Sequence, residues 1–181
     1  MLNLASLLEN SAQKYANRDA VVLGDTRLTY AEVNGAANHV ANLLVERGIE
    51  PGDKVALSCP NLPYFPIVYF GILKAGATVV PLNVLLKGRE VAYHLDDSDA
   101  KAYFCFEGTD ELPIGRAGHD GFSQTGACLP MPAPSVSAPS IGESAVGSAV
   151  IRKKCSQASV CEKPSCPARP MGSSSVPSKQ K

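Results

Sequence analysis

The sequence predicts an α/β protein, a parallel sheet flanked by helices, with a long tail after it. Three observations carry this. Helical and strand patterns alternate between residues 29 and 106, as they do where parallel strands are joined by helical crossovers. The run from Gly71 to Asn83 steps from a helix through Gly76 into Thr78, Val79 and Val80. These β-branched residues, uninterrupted by charge, predict a buried strand covered on both faces. The third observation is a change of composition near Phe122. All 11 aromatic residues lie at or before it, the net charge is −5 up to it and +5 beyond it, and Ser, Pro, Ala and Gly make up 32 of the last 59 residues. A segment without aromatics cannot readily bury enough apolar area to offset the entropy of ordering its backbone. Residues 1–122 are therefore expected to form the domain, and residues 123–181 a low-complexity, basic, mostly disordered tail.

The elements follow in order. Leu4, Leu7, Leu8, Ser11, Ala12 and Tyr15 share one helical face, with Asn3 as N-cap. Ala20 to Leu23 predicts a strand, Gly24-Asp25 a turn, and Arg27-Leu28 the returning strand. Thr29 and Glu32 have the spacing of a capping box, in which each side chain satisfies a backbone donor of the other. Val33, Ala36, Ala37, Val40, Leu43 and Leu44 form the apolar stripe of the helix that follows, Arg47 complements its dipole, and Gly48 stops it. Glu50-Pro51-Gly52-Asp53 is a turn, and Lys54 to Ser58 is a strand burying Val55, Ala56 and Leu57. Pro60, Pro63 and Pro66 hold back the next helix until Pro63 or Pro66, where proline fits a first turn. Gly76 suits the left-handed position past that helix, and Pro81, unable to donate to a ladder, ends the strand after it. Arg89 to Leu95 predicts a helix, Asp96 to Asp99 its polar close, and Ala102 to Phe106 a last strand.

No targeting or spanning segment is expected. Met1 to Leu4 carries no basic flank, the first basic residue is Lys14, and the apolar run after Cys59 is cut by three prolines and Lys74. A cytoplasmic setting with reduced thiols follows.

Several stretches resemble one family. Leu28-Thr29-Tyr30-Ala31-Glu32-Val33, then Gly48 to Leu57, Pro60-Asn61, Leu73 to Asn83 and Leu95 to Lys101 are similar, in this order and spacing, to the first blocks of adenylate-forming acyl-CoA synthetases. The resemblance covers residues 1–115, and the Pro81-Leu82-Asn83 ending looks like the fatty-acyl ligases. It implies the N-terminal fragment of a layered α/β adenylate-forming domain. Such enzymes activate a carboxylic acid with ATP and magnesium, release pyrophosphate, and pass the acyl group from AMP to coenzyme A. The electrostatic work falls on groups that hold the phosphates. The family's Ser/Thr/Gly-rich loop ending in Pro-Lys-Gly has no match here, since Gly76-Ala77-Thr78 lacks the further glycines and the lysine. Its later nucleotide-binding motifs and its C-terminal domain with the adenylating lysine also have no counterpart. The expectation is a truncated or frame-shifted fatty-acyl-CoA ligase, inactive alone, with the remainder of the enzyme as its partner. The alternative is a non-catalytic module that binds an acyl chain or complements a partner.

No catalytic, cofactor-binding or metal-ligating residue is assigned, and no nucleic-acid partner. Cys128, Cys155, Cys161 and Cys166 have no close Cys-x2-Cys pair and no His in the tail, so they read as incidental thiols rather than a zinc site. Arg152-Lys153-Lys154 reads as a solvated basic run, and Asp96, Asp97 and Asp99 as a polar turn rather than a calcium loop. His39, His94 and His119, the last in a loop, read as structural. Cys59 reads as a buried inert thiol, with no adjacent cation to lower its pKa.

Overall fold

The computed structural model describes residues 3–109, 113–125 and 152–153. The elements in chain order are α1 (Ala5–Lys14), β1 (Asp19–Leu23), β2 (Thr26–Thr29), α2 (Tyr30–Glu46), β3 (Lys54–Ser58), α3 (Tyr64–Lys74), β4 (Thr78–Pro81), α4 (Gly88–Asp97), β5 (Ala102–Cys105), α5 (Ile114–Gln124) and β6 (Arg152–Lys153). From the first helix to β5 this is the predicted order.

The main sheet runs β4-β3-β5-β6, and β1 pairs with β2 in a separate antiparallel hairpin. β3 is parallel to both β4 and β5. Successive strand side chains point to opposite faces, so β3 and β5 each supply two cores. Val55, Leu57, Ala102 and Phe104 pack with Val40, Leu44 and Ile72 of α2 and α3. Ala56, Tyr103 and Cys105 pack with Val91, Leu95, Ile114 and Phe122 of α4 and α5. A strand buried on both faces has no use for polar alternation, which is why β3 and β5 read as continuous apolar runs.

β4 is covered on both faces as expected, Val79 packing against one core and Val80 against the other, but it is not a central strand. β4 forms an edge; Thr78 and Pro81 are exposed, and Val79 and Val80 are half-buried. Its β-branched residues report strand propensity but not lateral position. Pro81 does end the strand, from within it. It is the last residue of β4, in register with Leu57, a place open to proline because an outer edge asks for no donor.

The capping box of α2 is formed: the Thr29 N–H donates to Glu32 Oε2 at 2.8 Å and the Glu32 N–H to Thr29 Oγ1 at 3.3 Å. Gly48 and Gly76 end their helices at φ +72° and +78°, where a side chain would be strained. The N-cap of α1 is Leu4 and not the expected Asn3; one residue earlier, Asn3 Oδ1 accepts from the Ala5 N–H at 2.9 Å, and its Nδ2–H donates to the Leu73 carbonyl at the end of α3 at 2.8 Å. Glu9 of α1 meets Lys74 of α3 at 2.8 Å, so one short helix is tied to another at two points. α1 and the hairpin share a third core of Leu8, Leu28, Val33 and Ala37.

Helix α5 has no counterpart among the predicted elements, and it places His119 on a helix rather than in a loop. Gly115, Gly118 and Gly121 lower its intrinsic propensity but let it lie close. A Cβ at Gly118 would sit 2.5 Å from Cys105 Sγ, and one at Gly121 2.6 Å from Val91 Cβ. The helix ends at Gln124, so the expected join at Phe122 falls within its last turn. The expectation of a disordered tail concerns residues 126–151 and 154–181, outside the described residues.

Candidate functional site

In open α/β sheets, ligands bind beyond the carboxyl ends of the parallel strands. Here that rim is formed by Ser58 of β3, Pro81 of β4 and Cys105 of β5 with the loops they lead into. The strand alternation brings Ser58, Tyr103 and Cys105 together on the α4/α5 face. All three are at most 3% exposed. The Cys105 thiol donates to the carbonyls of Phe106 and Ile114, each at 3.4 Å. The Tyr103 hydroxyl lies beside Cys105 and Ser58 without reaching hydrogen-bond geometry to either. Burial raises the Tyr103 phenol well above its ordinary value, with Cys105 adding to the effect. Burial likewise raises Cys105. At the mouth of the rim, Cys59 is half-buried, and burial followed by repulsion from Cys105 pushes its thiol up to about 11. A thiol so raised is protonated at neutral pH and a poor nucleophile, as the sequence reading of Cys59 expected.

A cleft of about 280 Å³ opens beside this rim, between the β4–α4 connection and the first turns of α5. Val84, Leu85, Leu86 and Ile114 give it an aliphatic wall, and Lys87, Arg116 and Asp120 supply its charges. The wall is held by two local bonds: Asn83 Oδ1 accepts from the Leu85 N–H at 2.9 Å, and Glu90 Oε2 accepts from the Lys87 N–H at 2.8 Å.

The residues weighed from sequence are scattered. His39, His94 and His119 stand exposed on three different helices. Asp96 and Asp97 close α4, and Asp99, at φ +52° and 3.5 Å from Lys101, makes the turn into β5. Among the described residues no three His, Cys, Asp or Glu side chains are grouped to hold a metal ion. The four tail cysteines lie outside the described residues. Arg152 and Lys153 form strand β6 on the outer edge of β5, in register with Tyr103 and Ala102. The buried group of Ser58, Tyr103 and Cys105 was not singled out from sequence. The period of two along β3 and β5 was the signal that would have found it.

This rim, on parallel strands with helices on both faces, is a scaffold common to many chemistries. The deciding observation is the match of residues 8–161 to the family model described as AMP-binding enzyme. The chain belongs to the AMP-binding enzyme family. It is 40% identical over 101 residues to a medium/long-chain-fatty-acid–CoA/3-oxocholest-4-en-26-oate–CoA ligase of Mycobacterium tuberculosis, covering 56% of this chain and 18% of that one. It is 41% identical over 100 residues to an oxalate–CoA ligase of Arabidopsis thaliana, covering 54% of this chain and 20% of that one. Among solved structures, the inhibitor-bound N-terminal domain of FACL13 from Mycobacterium tuberculosis superposes with a TM-score of 0.54 at 38% identity, over 57% of this chain and 26% of that one. A benzoate CoA ligase from Burkholderia xenovorans shares the fold, with a TM-score of 0.61 at 23% identity, over 70% of this chain and 25% of that one. This AMP-binding chain thus corresponds to the N-terminal part of acyl-CoA synthetases, and it spans about a fifth of the length of the curated relatives it matches. No helix among the described residues is long and apolar enough to cross a membrane.

Proposed function

We propose that this chain is framework from a fatty-acyl-CoA ligase and does not carry out adenylation by itself. The observation that supports this is the content of the strand rim. It holds protonated thiols and a buried phenol, while the 181-residue sequence has no Gly-rich loop followed by Pro-Lys-Gly. Adenylation depends on donors and cations placed around a triphosphate; the rim itself holds neutral buried groups, and the cations of the neighbouring cleft, Lys87 and Arg116, are not accompanied by such a loop. ATP, magnesium and coenzyme A then belong to a complete ligase of this family. A cytoplasmic setting agrees with the free thiols Cys59 and Cys105. The test is release of pyrophosphate from ATP by the purified chain with a panel of fatty acids, together with calorimetry of ATP binding. Neither signal is expected above a blank; tight ATP binding or acid-dependent turnover refutes the proposal.

A second reading, a module that complements a separately encoded partner, is favoured by α3. Seven consecutive residues of the stretch Tyr64 to Phe70 are half-buried, five of them aromatic or aliphatic besides Pro66 and Tyr64. A helix apolar on all sides belongs inside a larger body. The partner is then the remaining portion of the ligase. Co-expression of this chain with the downstream portion of a related fatty-acyl ligase is expected to restore activity; an inactive but folded mixture counts against it.

A further inference from the structure

The main sheet has two edges, and each carries a device against further pairing. On one side β4 ends in Pro81, which cannot donate to another strand. On the other side lies β5, whose four residues are at most 3% exposed. A strand packed this deeply, with a bare outer edge, is a template for a strand from another chain. The edge is not bare. Arg152 and Lys153 pair antiparallel with Tyr103 and Ala102, although the sheet is parallel up to that point. A very short strand of basic residues is one of the ways natural sheets blunt an edge. We propose that β6 is an intramolecular edge guard, occupying the outer edge of β5 and thereby preventing a second copy of this chain from adding a strand there. The basic run read from sequence as merely solvated thus acts through its backbone.

The test begins with the unaltered full chain. Lys101 precedes Ala102, whose register partner is Lys153, so an amine-reactive crosslinker long enough to round the strand edge is expected to join Lys101 to Lys153 or to Lys154, its neighbour in sequence. Mixing ¹⁵N-labelled and unlabelled chains before crosslinking distinguishes links within a chain from links between chains. A link from Lys101 to Lys153 or Lys154 within single chains supports the guard; the absence of both, or their appearance only between chains, overturns it. In the second arm, the double substitution Arg152→Pro with Lys153→Pro removes the ladder donor to β5, which one of two consecutive antiparallel residues supplies. It is expected to raise the self-association constant in sedimentation velocity by roughly tenfold, the factor lost with about one net hydrogen bond. Amide exchange at Ala102 and Tyr103 is expected to accelerate in the monomer fraction. The control, Arg152→Ala with Lys153→Ala, keeps the ladder and is expected to sediment as the unaltered chain does. If the alanine pair reproduces the proline effect, or the proline pair leaves association unchanged, the guard is refuted.

Discussion

Replacing Gly121 by alanine tests whether α5 is held by close approach. A Cβ at this position would lie 2.6 Å from the Gly88 carbonyl oxygen and 2.6 Å from Val91 Cβ, against 3.4–4 Å for ordinary contact. The first obstacle is backbone and the second is the branch point of a side chain on α4, so neither can rotate aside. Helix α5 must therefore withdraw from α4 by the better part of an ångström. Overpacking of this kind costs about 1–3 kcal/mol, while the better helix propensity of alanine returns about 1 kcal/mol. The net is a loss of about 1–2 kcal/mol, because the backbone contact places the overpacking toward its upper range. With a urea dependence of about 1–3 kcal/mol per molar, the unfolding midpoint falls by roughly half to one molar. The internal control is Gly35→Ala in α2, where nothing lies within 4 Å of the new Cβ. There the same chemical change is expected to stabilise by about 0.4–1 kcal/mol. Opposite shifts of the two midpoints support the docking of α5. If Gly121→Ala unfolds at the same or higher urea than the parent chain, α5 does not lie on α4 as described.

Four further outcomes are expected. Cys59, with its thiol near 11 instead of the ordinary 9.0, is expected to alkylate slowly at neutral pH. A reactivity midpoint at the ordinary thiol value would contradict its burial beside Cys105. Because the unfolded thiol ionises first, stability is present in full below the ordinary pKa and is lost between about pH 9 and pH 11; Cys105 and Tyr103, raised in the same direction, act in the same sense. A melt that is flat over that range in the chain and changed in Cys59→Ala would contradict it. In the capping box, the Thr29 backbone and hydroxyl lower the Glu32 pKa. Stability from this source is present above the unfolded pKa and lost as pH falls through the folded one. Thr29→Ala is expected to cost about 1 kcal/mol and to flatten that acid limb, read by thermal melts across acid pH. Glu9→Gln, which breaks the contact to the largely buried Lys74 while Glu9 itself is half-exposed, is expected to cost up to about 1 kcal/mol, and less at high salt. An effect insensitive to salt would show that packing, not charge, ties α1 to α3.

The legible parts of the fold are those whose signal is local. The capping box, the stripe of α2, the stop at Gly48 and the run of β3 each declare themselves within a few residues, and all four are in the structure. The lateral order of strands is not local. Val79 and Val80 look like central-strand residues, yet β4 is an edge, and Pro81 was the one residue in the stretch that already said so. Helix α5 was invisible for a related reason. Its three glycines argue against a helix when read alone, and they make sense only once Cys105 and Val91 are known to lie opposite them. Asn3 was legible as part of the start of α1 but not as the donor to Leu73 at the end of α3, since a contact over seventy positions has no sequence period. The site followed the same rule. The inert character of Cys59 was readable from the lack of a neighbouring cation, whereas the grouping of Ser58, Tyr103 and Cys105 needed the parallel register of β3 and β5.

Folding and chemistry are therefore separable in this chain. The apolar area of β3 and β5 is covered on both faces by helices present in the same chain, so formation of the sheet needs no nucleotide. The most exposed large apolar side chains, among them Leu7, Leu85 and Tyr93, lie on other elements, but α3 carries a continuous run of seven half-buried residues that another layer could cover. A complementing portion of the ligase would gain most of its binding energy there, through apolar area, and little at the rim, where the polar groups are already buried. The two contributions predict different mutants. Val68→Asp on α3 is expected to abolish complementation, and because Val68 packs against the core shared with β5, far-UV circular dichroism of the variant must first show that it is folded. Cys59→Ser at the rim is expected to leave complementation intact. The reverse pattern would place the docking surface at the strand ends and remove the argument from α3.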